Sequence, residues 1–427
     1  MESESNMNFL LYSKSQDEIK AIQYKKIKRI VLYAYEKSPF YRQLYKSLDF
    51  HPEDLKCYDD IKKIPIVKRI ELKKTPVEKI LTTKDYSKLH LHTTSGSSGI
   101  PVKFYYNNRE LWLKNYGVIR SYLKMGMKFT DTTVALRDPI DIRKKGIYEK
   151  VGILAYDYYN IYESITKIYA AICNKYDKID VLKGMPSDLM NLAYHIRNGK
   201  RKFPKVKLLI SDCEVLDDFS RKYISETFHR EILDYYASVE NGCIAFQLPR
   251  SKKYFINEDQ ILLENRTPSS NLGDAVITNL RNTTFPIIRY QIGDMIDFGD
   301  GKSDLDSIKL RTINKIYGKY LDFIILPDKT IVSPHIPKQE LTHLSGIKKF
   351  QIIQRDFSKI VIKIEKDIDY QEDTEKEILK RLDRVFHHQI VCSIEYDQQL
   401  SIKTTNKFKC IQSDIAQSFL SDNPIKS

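Results

Sequence analysis

A chain of 427 residues with 42% apolar and 11% aromatic residues is long enough for two or three domains and too rich in core-forming side chains to be disordered. The formal charge of +14 is carried by lysines spread along the whole length, often beside Asp or Glu. No long basic run appears, which favours a solubilising surface and argues against nucleic acid as a partner. The start, Met1-Glu2-Ser3-Glu4-Ser5, is polar and acidic, unlike a signal peptide, and the longest apolar runs, such as Ile30-Val31-Leu32-Tyr33-Ala34-Tyr35, are too short to span a membrane. A cytoplasmic protein without membrane insertion is expected. Cysteines 57, 173, 213, 243, 392 and 410 form no CxxC pair and no metal-ligand spacing, so they read as buried apolar residues in a reducing compartment.

Residues 16–36 place Ile19, Ile22, Ile27, Ile30, Val31 and Ala34 at helical spacing, and Ser38-Pro39 ends that helix. A short helix starts at Phe40, and Ile64-Pro65-Ile66-Val67-Lys68 reads as extended because proline disfavours helix in the residue before it. Leu89-His90-Leu91-His92 alternates like a strand, its histidines structural, and Val102–Tyr106 reads as a second strand. Helices over 108–125, 163–174, 187–198 and 217–228 then alternate with strands at 133–136, 181–182, 206–210 and 232–236. That alternation indicates a parallel α/β sheet, in which ligands sit outside the carboxyl ends of the strands. From about 254 to 333 strands follow one another with turns between them. The last hundred residues read as strands 323–326 and 330–333, helix 337–344, strands 349–354 and 359–365, helix 371–387 and strand 390–396. His387-His388, at the end of that last helix, read as partners of its dipole. The expected fold class is α/β: a large multi-sheet N-terminal domain over residues 1–320 and a small α+β C-terminal domain over 321–427.

Between the first two strands lies Thr93-Thr94-Ser95-Gly96-Ser97-Ser98-Gly99-Ile100-Pro101. Glycines let a backbone turn sharply and approach a ligand, so that successive N–H groups can point at one anion. Thr94, Ser95, Ser97 and Ser98 add hydroxyl donors without bulk, and with Gly96 and Gly99 they suit a polyphosphate. No Gly-Lys-[Ser/Thr] follows and only two glycines are present, so this is neither a Walker loop nor a dinucleotide fingerprint. Composition alone also fits a plain hairpin turn. The rest of the chain has to decide.

Further stretches stand in order. Ser211-Asp212-Cys213-Glu214 and Tyr235-Tyr236-Ala237-Ser238-Val239-Glu240-Asn241-Gly242 each follow a strand. Phe285-Pro286-Ile287-Ile288-Arg289-Tyr290-Gln291-Ile292-Gly293-Asp294 lies in the all-strand section. Ile316-Tyr317-Gly318-Lys319-Tyr320-Leu321-Asp322 opens the last unit, and Thr404-Thr405-Asn406-Lys407-Phe408-Lys409 lies near its end. Taken with the Ser/Gly loop, this ordered set resembles the adenylate-forming (acyl-CoA synthetase and luciferase) superfamily. Ala34-Tyr35-Glu36-Lys37-Ser38-Pro39-Phe40-Tyr41, Ile64-Pro65-Ile66-Val67-Lys68 and Leu182-Lys183-Gly184-Met185-Pro186-Ser187 resemble its phenylacetate–coenzyme A ligase and capsule-biosynthesis CapK-like branch.

The resemblance implies an AMP-forming ligase that uses ATP, Mg2+ and coenzyme A on a small-molecule carboxylic acid. The loop Thr94–Gly99 would hold the β- and γ-phosphates, and Glu240 would be the magnesium ligand. Tyr236, beside Ala237 and Ser238, would stack on adenine, Glu214 would belong to the wall of the nucleotide pocket, and Asp294 would accept both ribose hydroxyls. Lys319 sits in the hinge, and Lys407 would be the mobile lysine that meets the carboxylate and the α-phosphate. Simpler readings stand beside these: a solvated loop for Glu240, a turn for Asp294, a core ring for Tyr236 and a helix cap for Glu214. Ile100 replaces a usual basic residue, Ala237 a usual glycine, and Lys319 and Leu321 alter the usual hinge pattern. The acceptor expected by resemblance is a thiol, probed against an amine acceptor in capsule polysaccharide biosynthesis, or a nucleotide binder without turnover, as alternatives.

Overall fold

The computed structural model describes residues 14–93, 102–137, 155–160, 163–267, 270–319, 324–328, 331–332, 337, 340–341, 344–400 and 410–415. Helix α1 (Gln16–Lys37) starts where Ser15 accepts from the Glu18 N–H and Glu18 answers to the Ser15 N–H, a closed capping box. It buries Ile19, Ile27, Ile30, Val31 and Ala34 and stops at Ser38, after which Pro39 opens α2 (Pro39–Ser47). Strand β1 (Val67–Lys68) and the short helices α3 (Arg69–Lys74) and α4 (Val77–Ile80) follow. Strands β2 (His90–Thr93) and β3 (Lys103–Tyr106) pair antiparallel, from His90 opposite Tyr106 to Thr93 opposite Lys103, so residues 94–101 are joined to a hairpin stem. The Thr94–Gly99 stretch itself lies outside the described residues.

The α/β part runs through α5 (Asn108–Lys124), β4 (Thr132–Arg137), β5 (Ala155–Asn160), α6 (Ile165–Lys175), β6 (Lys178–Gly184), α7 (Pro186–Asn198), β7 (Lys205–Asp212), α8 (Asp218–Phe228), β8 (Ile232–Ser238), β9 (Gly242–Gln247) and β10 (Tyr254–Ile256). Next come β11 (Ile261–Asn265), β12 (Leu272–Asn279), β13 (Tyr290–Asp297), β14 (Thr312–Ile313) and β15 (Lys315–Lys319). Eight strands form one sheet in the order β14-β10-β9-β8-β7-β6-β4-β5. It is parallel from β5 to β8, as the strand–helix alternation requires, and antiparallel from β8 onward. Apolar faces of α6, α7 and α8 cover one side of the parallel part, through Ile168, Ile172, Leu189, Leu192 and Ile224. The other side packs on α5 through Ile119, Tyr122 and Met125. A second sheet orders β1-β13-β12-β11, with β15 also on β13.

The C-terminal part holds a ribbon of β16 (Ile324–Ile325) and β17 (Ile331–Val332), then β18 (Ile347–Asp356), β19 (Lys359–Lys366), α9 (Glu372–Val385), β20 (Val391–Tyr396) and β21 (Ile411–Ser413). Its sheet runs β20-β19-β18-β21, and α9 buries Ile378 and Leu382 against it. Among the described residues, the apolar cluster built from Ile324 to Ile411 draws on none before 324. The α/β class with a large multi-sheet part and a small α+β part is thus the fold observed.

Two expectations need correcting. Of the six cysteines only Cys243 is buried; Cys57 and Cys213 are exposed and the other three intermediate, all of them free thiols. Cys213 sits where β7 ends, in a turn with φ +67°, which brings its side chain to the surface. The large sheet is mixed, because the chain doubles back at Glu240 into β9 where the sequence pattern had marked no strand. His387 and His388 both have positive φ beyond α9, where their backbone N–H groups donate to the Arg384 and Asp383 carbonyls at 3.2 and 2.9 Å, and His388 Nδ1 pairs with Asp383 Oδ2 at 2.5 Å.

Candidate active site

Strand β8 carries Tyr235 and Tyr236 at its carboxyl end, where its neighbours β7 and β9 diverge in direction. The Tyr236 hydroxyl donates to Asp294 Oδ2 at 2.6 Å. Asp294 is a buried residue inside β13, not a turn former. Desolvation and the Asp294 charge push the Tyr236 phenol well above its ordinary range, so it stays a neutral donor. Along the same strand, Asp294 is the register partner of Lys319, which ends β15. One residue earlier, Gly318 has φ +87°, and a Cβ there would come within 2.9 Å of Val215. A glycine is needed to let β15 pass that close to the residue following Glu214. The stretches around Glu214, Tyr236, Asp294 and Lys319, far apart in sequence, therefore converge.

Glu214 is exposed and does not cap the next helix; Asp217 does, its carboxylate accepting the Ser220 N–H at 2.8 Å. Ala237 is exposed at the end of β8. Ser238 Oγ accepts the Asn241 N–H at 3.2 Å and tightens the β8–β9 turn. Within that turn Glu240 is only 2% exposed, so it is not a solvated loop residue. Its backbone carbonyl accepts from the Tyr106 hydroxyl at 2.7 Å. Its carboxylate takes no hydrogen bond and no ion pair among the described residues.

Two side chains that the sequence did not single out support this turn. Tyr106 ends β3, so the stem carrying the Ser/Gly stretch is bonded to the Glu240 turn. Lys114, on α5, donates from Nζ to the Val239 carbonyl at 2.5 Å and lies 4.5 Å from the Tyr106 ring centre. Burial pushes the Lys114 ammonium down to about 7, against the opposing charge of Glu240. Gly242, at φ +70°, leaves the room that Lys114 Cγ occupies. A signal was present: the buried stripe of α5 is polar, with Glu110, Lys114, Gly117 and Ser121 three to four residues apart. Arg289 is a third missed residue. Its guanidinium reaches the Lys62 and Ile64 carbonyls at 2.7 Å and pairs with Glu264, which explains why the Ile64-Pro65 stretch accompanies the one ending at Asp294.

The Lys319 side chain and Lys407 lie outside what the structure describes. For magnesium, Glu240 fits: it is a buried carboxylate that accepts no hydrogen bond among the described residues, and Mg2+ on a nucleotide needs only one or two carboxylates beside phosphate and water oxygens. No group of three His, Cys, Asp or Glu able to hold a metal alone occurs among the described residues. Nor is any described helix long and apolar enough to cross a membrane.

Comparison with known proteins bears on the fold. The structure superposes on 2-hydroxyisobutyryl-CoA ligase in complex with 2-HIB-AMP with a TM-score of 0.72 at 16% identity, covering 97% of this chain and 94% of that one. The two chains share one fold. Within it the likeness falls on the phenylacetate–coenzyme A ligase and CapK-like branch. Protein CapK of Staphylococcus aureus is 24% identical over 341 residues, 76% of this chain and 75% of the relative. Phenylacetate-coenzyme A ligase of Pseudomonas putida is 24% identical over 340 residues, 77% and 76% of the two chains. Residues 324–414 match the CapK C-terminal domain family.

Proposed function

We propose that this chain is an AMP-forming carboxylate–coenzyme A ligase. A carboxylate oxygen attacks the α-phosphorus of ATP, the bond to pyrophosphate breaks, and an acyl-adenylate forms. A thiol sulfur, that of coenzyme A, then attacks the acyl carbon and AMP leaves. The observation that carries this reading is the convergence of Tyr236, Asp294 and the Gly318–Lys319 strand end at the carboxyl edge of β8. There Asp294 would accept ribose hydroxyls beside the Tyr236 ring, and the Tyr106–Glu240 link brings the Ser/Gly stem to the same place. Glu240 would hold a magnesium ion, whose contribution is to draw charge off the phosphates. We assign the large domain to residues 1–320 and a mobile small domain to 321–427, the latter supplying Lys407; the self-contained apolar cluster after residue 324 supports that division. A cytoplasmic location fits this use of ATP.

An amine acceptor, as in cell-surface polysaccharide assembly, is the second reading, favoured by the match of residues 324–414 to the CapK C-terminal domain. The test is ATP–pyrophosphate exchange with magnesium over a panel of aromatic, fatty, amino and sugar acids, followed by AMP release with coenzyme A or an amine. Exchange with at least one acid is expected; none across the panel would overturn the ligase reading.

A further inference from the structure

Beside the converging stretches, the parallel strands end in a second polar group that the ligase chemistry does not use. Arg137, the last residue of β4, and Lys183, next to last in β6, both reach Asp212, the last of β7; Arg137 Nη2 lies 2.5 Å and Lys183 Nζ 3.0 Å from Asp212 Oδ2. Lys183 also donates to the Tyr122 hydroxyl from α5 and lies 4.4 Å from that ring's centre. Tyr122 in turn stacks on Tyr235 at 4.8 Å. Lys183 and Asp212 are both buried.

A group serving only to hold strands together would cancel its own charge and close its own hydrogen bonds. This one leaves an acceptor open. Arg137 and Lys183 both pair with Asp212 Oδ2, and Arg137 also donates to Cys213 Sγ at 3.4 Å; Asp212, held down at about 2 by its two cationic neighbours, is fully ionised. Asp188 lies close enough to feel Arg137 as well, and burial and the nearby Glu214 push its carboxyl up to about 7. Among the described residues Asp212 Oδ1 has no hydrogen-bond partner although it is buried. The group thus offers cationic donors and one unused anionic acceptor in the same place, at the sheet edge where ligands of such folds sit. An apolar acid would satisfy neither, and a second anionic group would satisfy only the cations. A hydroxyl both accepts and donates.

We propose that the acid activated here is a polyhydroxylated carboxylic acid of the sugar-acid class, its hydroxyls bound by Arg137, Lys183 and Asp212. This rests on the ligase reading. The same residues then act as a filter, because an acid lacking hydroxyls leaves the buried Asp212 Oδ1 without a hydrogen-bond partner.

The test is ATP–pyrophosphate exchange by the full chain with glucuronate and gluconate against phenylacetate, octanoate and malonate. The sugar acids should be preferred by about 10²-fold or more in kcat/KM. Lys183→Met and Asp212→Asn should each raise KM for the sugar acid by about 10-fold or more with KM for ATP held, and shift the preference toward phenylacetate. Asp212→Asn keeps the shape, so it carries the test if Lys183→Met does not fold. Phenylacetate or octanoate exchanging as well as the sugar acids overturns the inference and leaves the ligase reading standing. A preference for malonate replaces it with recognition of a second carboxylate. Exchange with no acid at all overturns the ligase reading itself and this inference with it.

Discussion

Tyr235 and Tyr236 are neighbours on one strand, and they serve two different polar environments. Alternate side chains of a strand face opposite ways, so Tyr236 turns to Asp294 while Tyr235 turns to Tyr122 and Lys183. The Tyr236 side is assembled from runs that are contiguous in sequence, each contributing one group at a turn or strand end. The Tyr235 side is assembled from single residues on β4, β6, β7 and α5. A ligand of constant chemistry, a nucleotide, can be met by fixed local runs. A ligand that differs between relatives is met by scattered side chains that can change one at a time.

The largest expected effect lies on the Tyr236 side. Glu240→Gln keeps the volume of the side chain but removes the charge that would hold a dication beside the phosphates. Several kcal/mol of transition-state charge stabilisation then go, about 10³-fold in kcat, with thermal stability close to the parent protein. Exchange rates across a magnesium titration check this; an unchanged rate removes Glu240 from the site. Next comes Lys407→Ala, expected to cost on the order of 10²–10³ in adenylation, mainly in kcat, as for other transition-state donors. Acyl transfer from supplied acyl-adenylate should survive it. Lys409→Ala is the control; loss of adenylation with Lys409→Ala alone would move the assignment by two residues.

Helices and parallel strands from 108 to 238 were legible because their apolar residues recur at regular spacing, and β18, β19 and α9 were legible for the same reason. β5 was not, because Ala155-Tyr156-Asp157-Tyr158-Tyr159-Asn160 has no apolar alternation and is fixed only by pairing with β4. β9 was hidden as well: it is buried along its whole length, and the turn before it reads as loop. At the candidate site, Glu240, Tyr236 and Asp294 stood out because they lie in ordered runs. Lys114, Tyr106 and Arg137 did not, since a buried lysine on a helix reads as a surface lysine until its neighbours are known. Lys183 lay within a recognised run, yet its partner Asp212 comes from another strand.

A smaller effect sharpens the first environment. Tyr236→Phe keeps a ring able to stack and removes only the hydroxyl that donates to Asp294. A carboxylate has lone pairs enough for both this donor and the ribose hydroxyls, so the bond positions Asp294 and does not compete with the nucleotide. KM for ATP should rise by about tenfold or less, ~1 kcal/mol, with kcat little changed. A fall in KM measured by the same exchange assay would mean that Tyr236 occupies the ribose position and must be displaced.

The smallest effect is a pH dependence on the Tyr235 side. Asp188 stands in the first turn of α7, and one of its carboxylate oxygens is buried without a partner. Burial and Glu214 raise its carboxyl to about 7 from the ordinary 3.8. Between those two values the folded chain binds a proton that the unfolded chain has already lost, so stability falls as pH rises through that window. Below about pH 4 both states hold the proton, and above about pH 7 both have released it, which leaves the penalty constant and complete. Asn in this position has no charge to desolvate. Asp188→Asn should therefore unfold at the same denaturant concentration as the parent at pH 4 and at a higher one at pH 8, by on the order of 1–2 kcal/mol after allowing for the solvent that still reaches the carboxyl. Equilibrium urea unfolding at the two pH values measures the difference directly. If the variant gains nothing at pH 8, Asp188 is ionised there at no cost, and a neighbouring cation must be compensating it. That cation would be Arg137, whose charge already acts on Asp188, and the excess of positive charge beside Asp212 would be smaller than the two-to-one count of its partners.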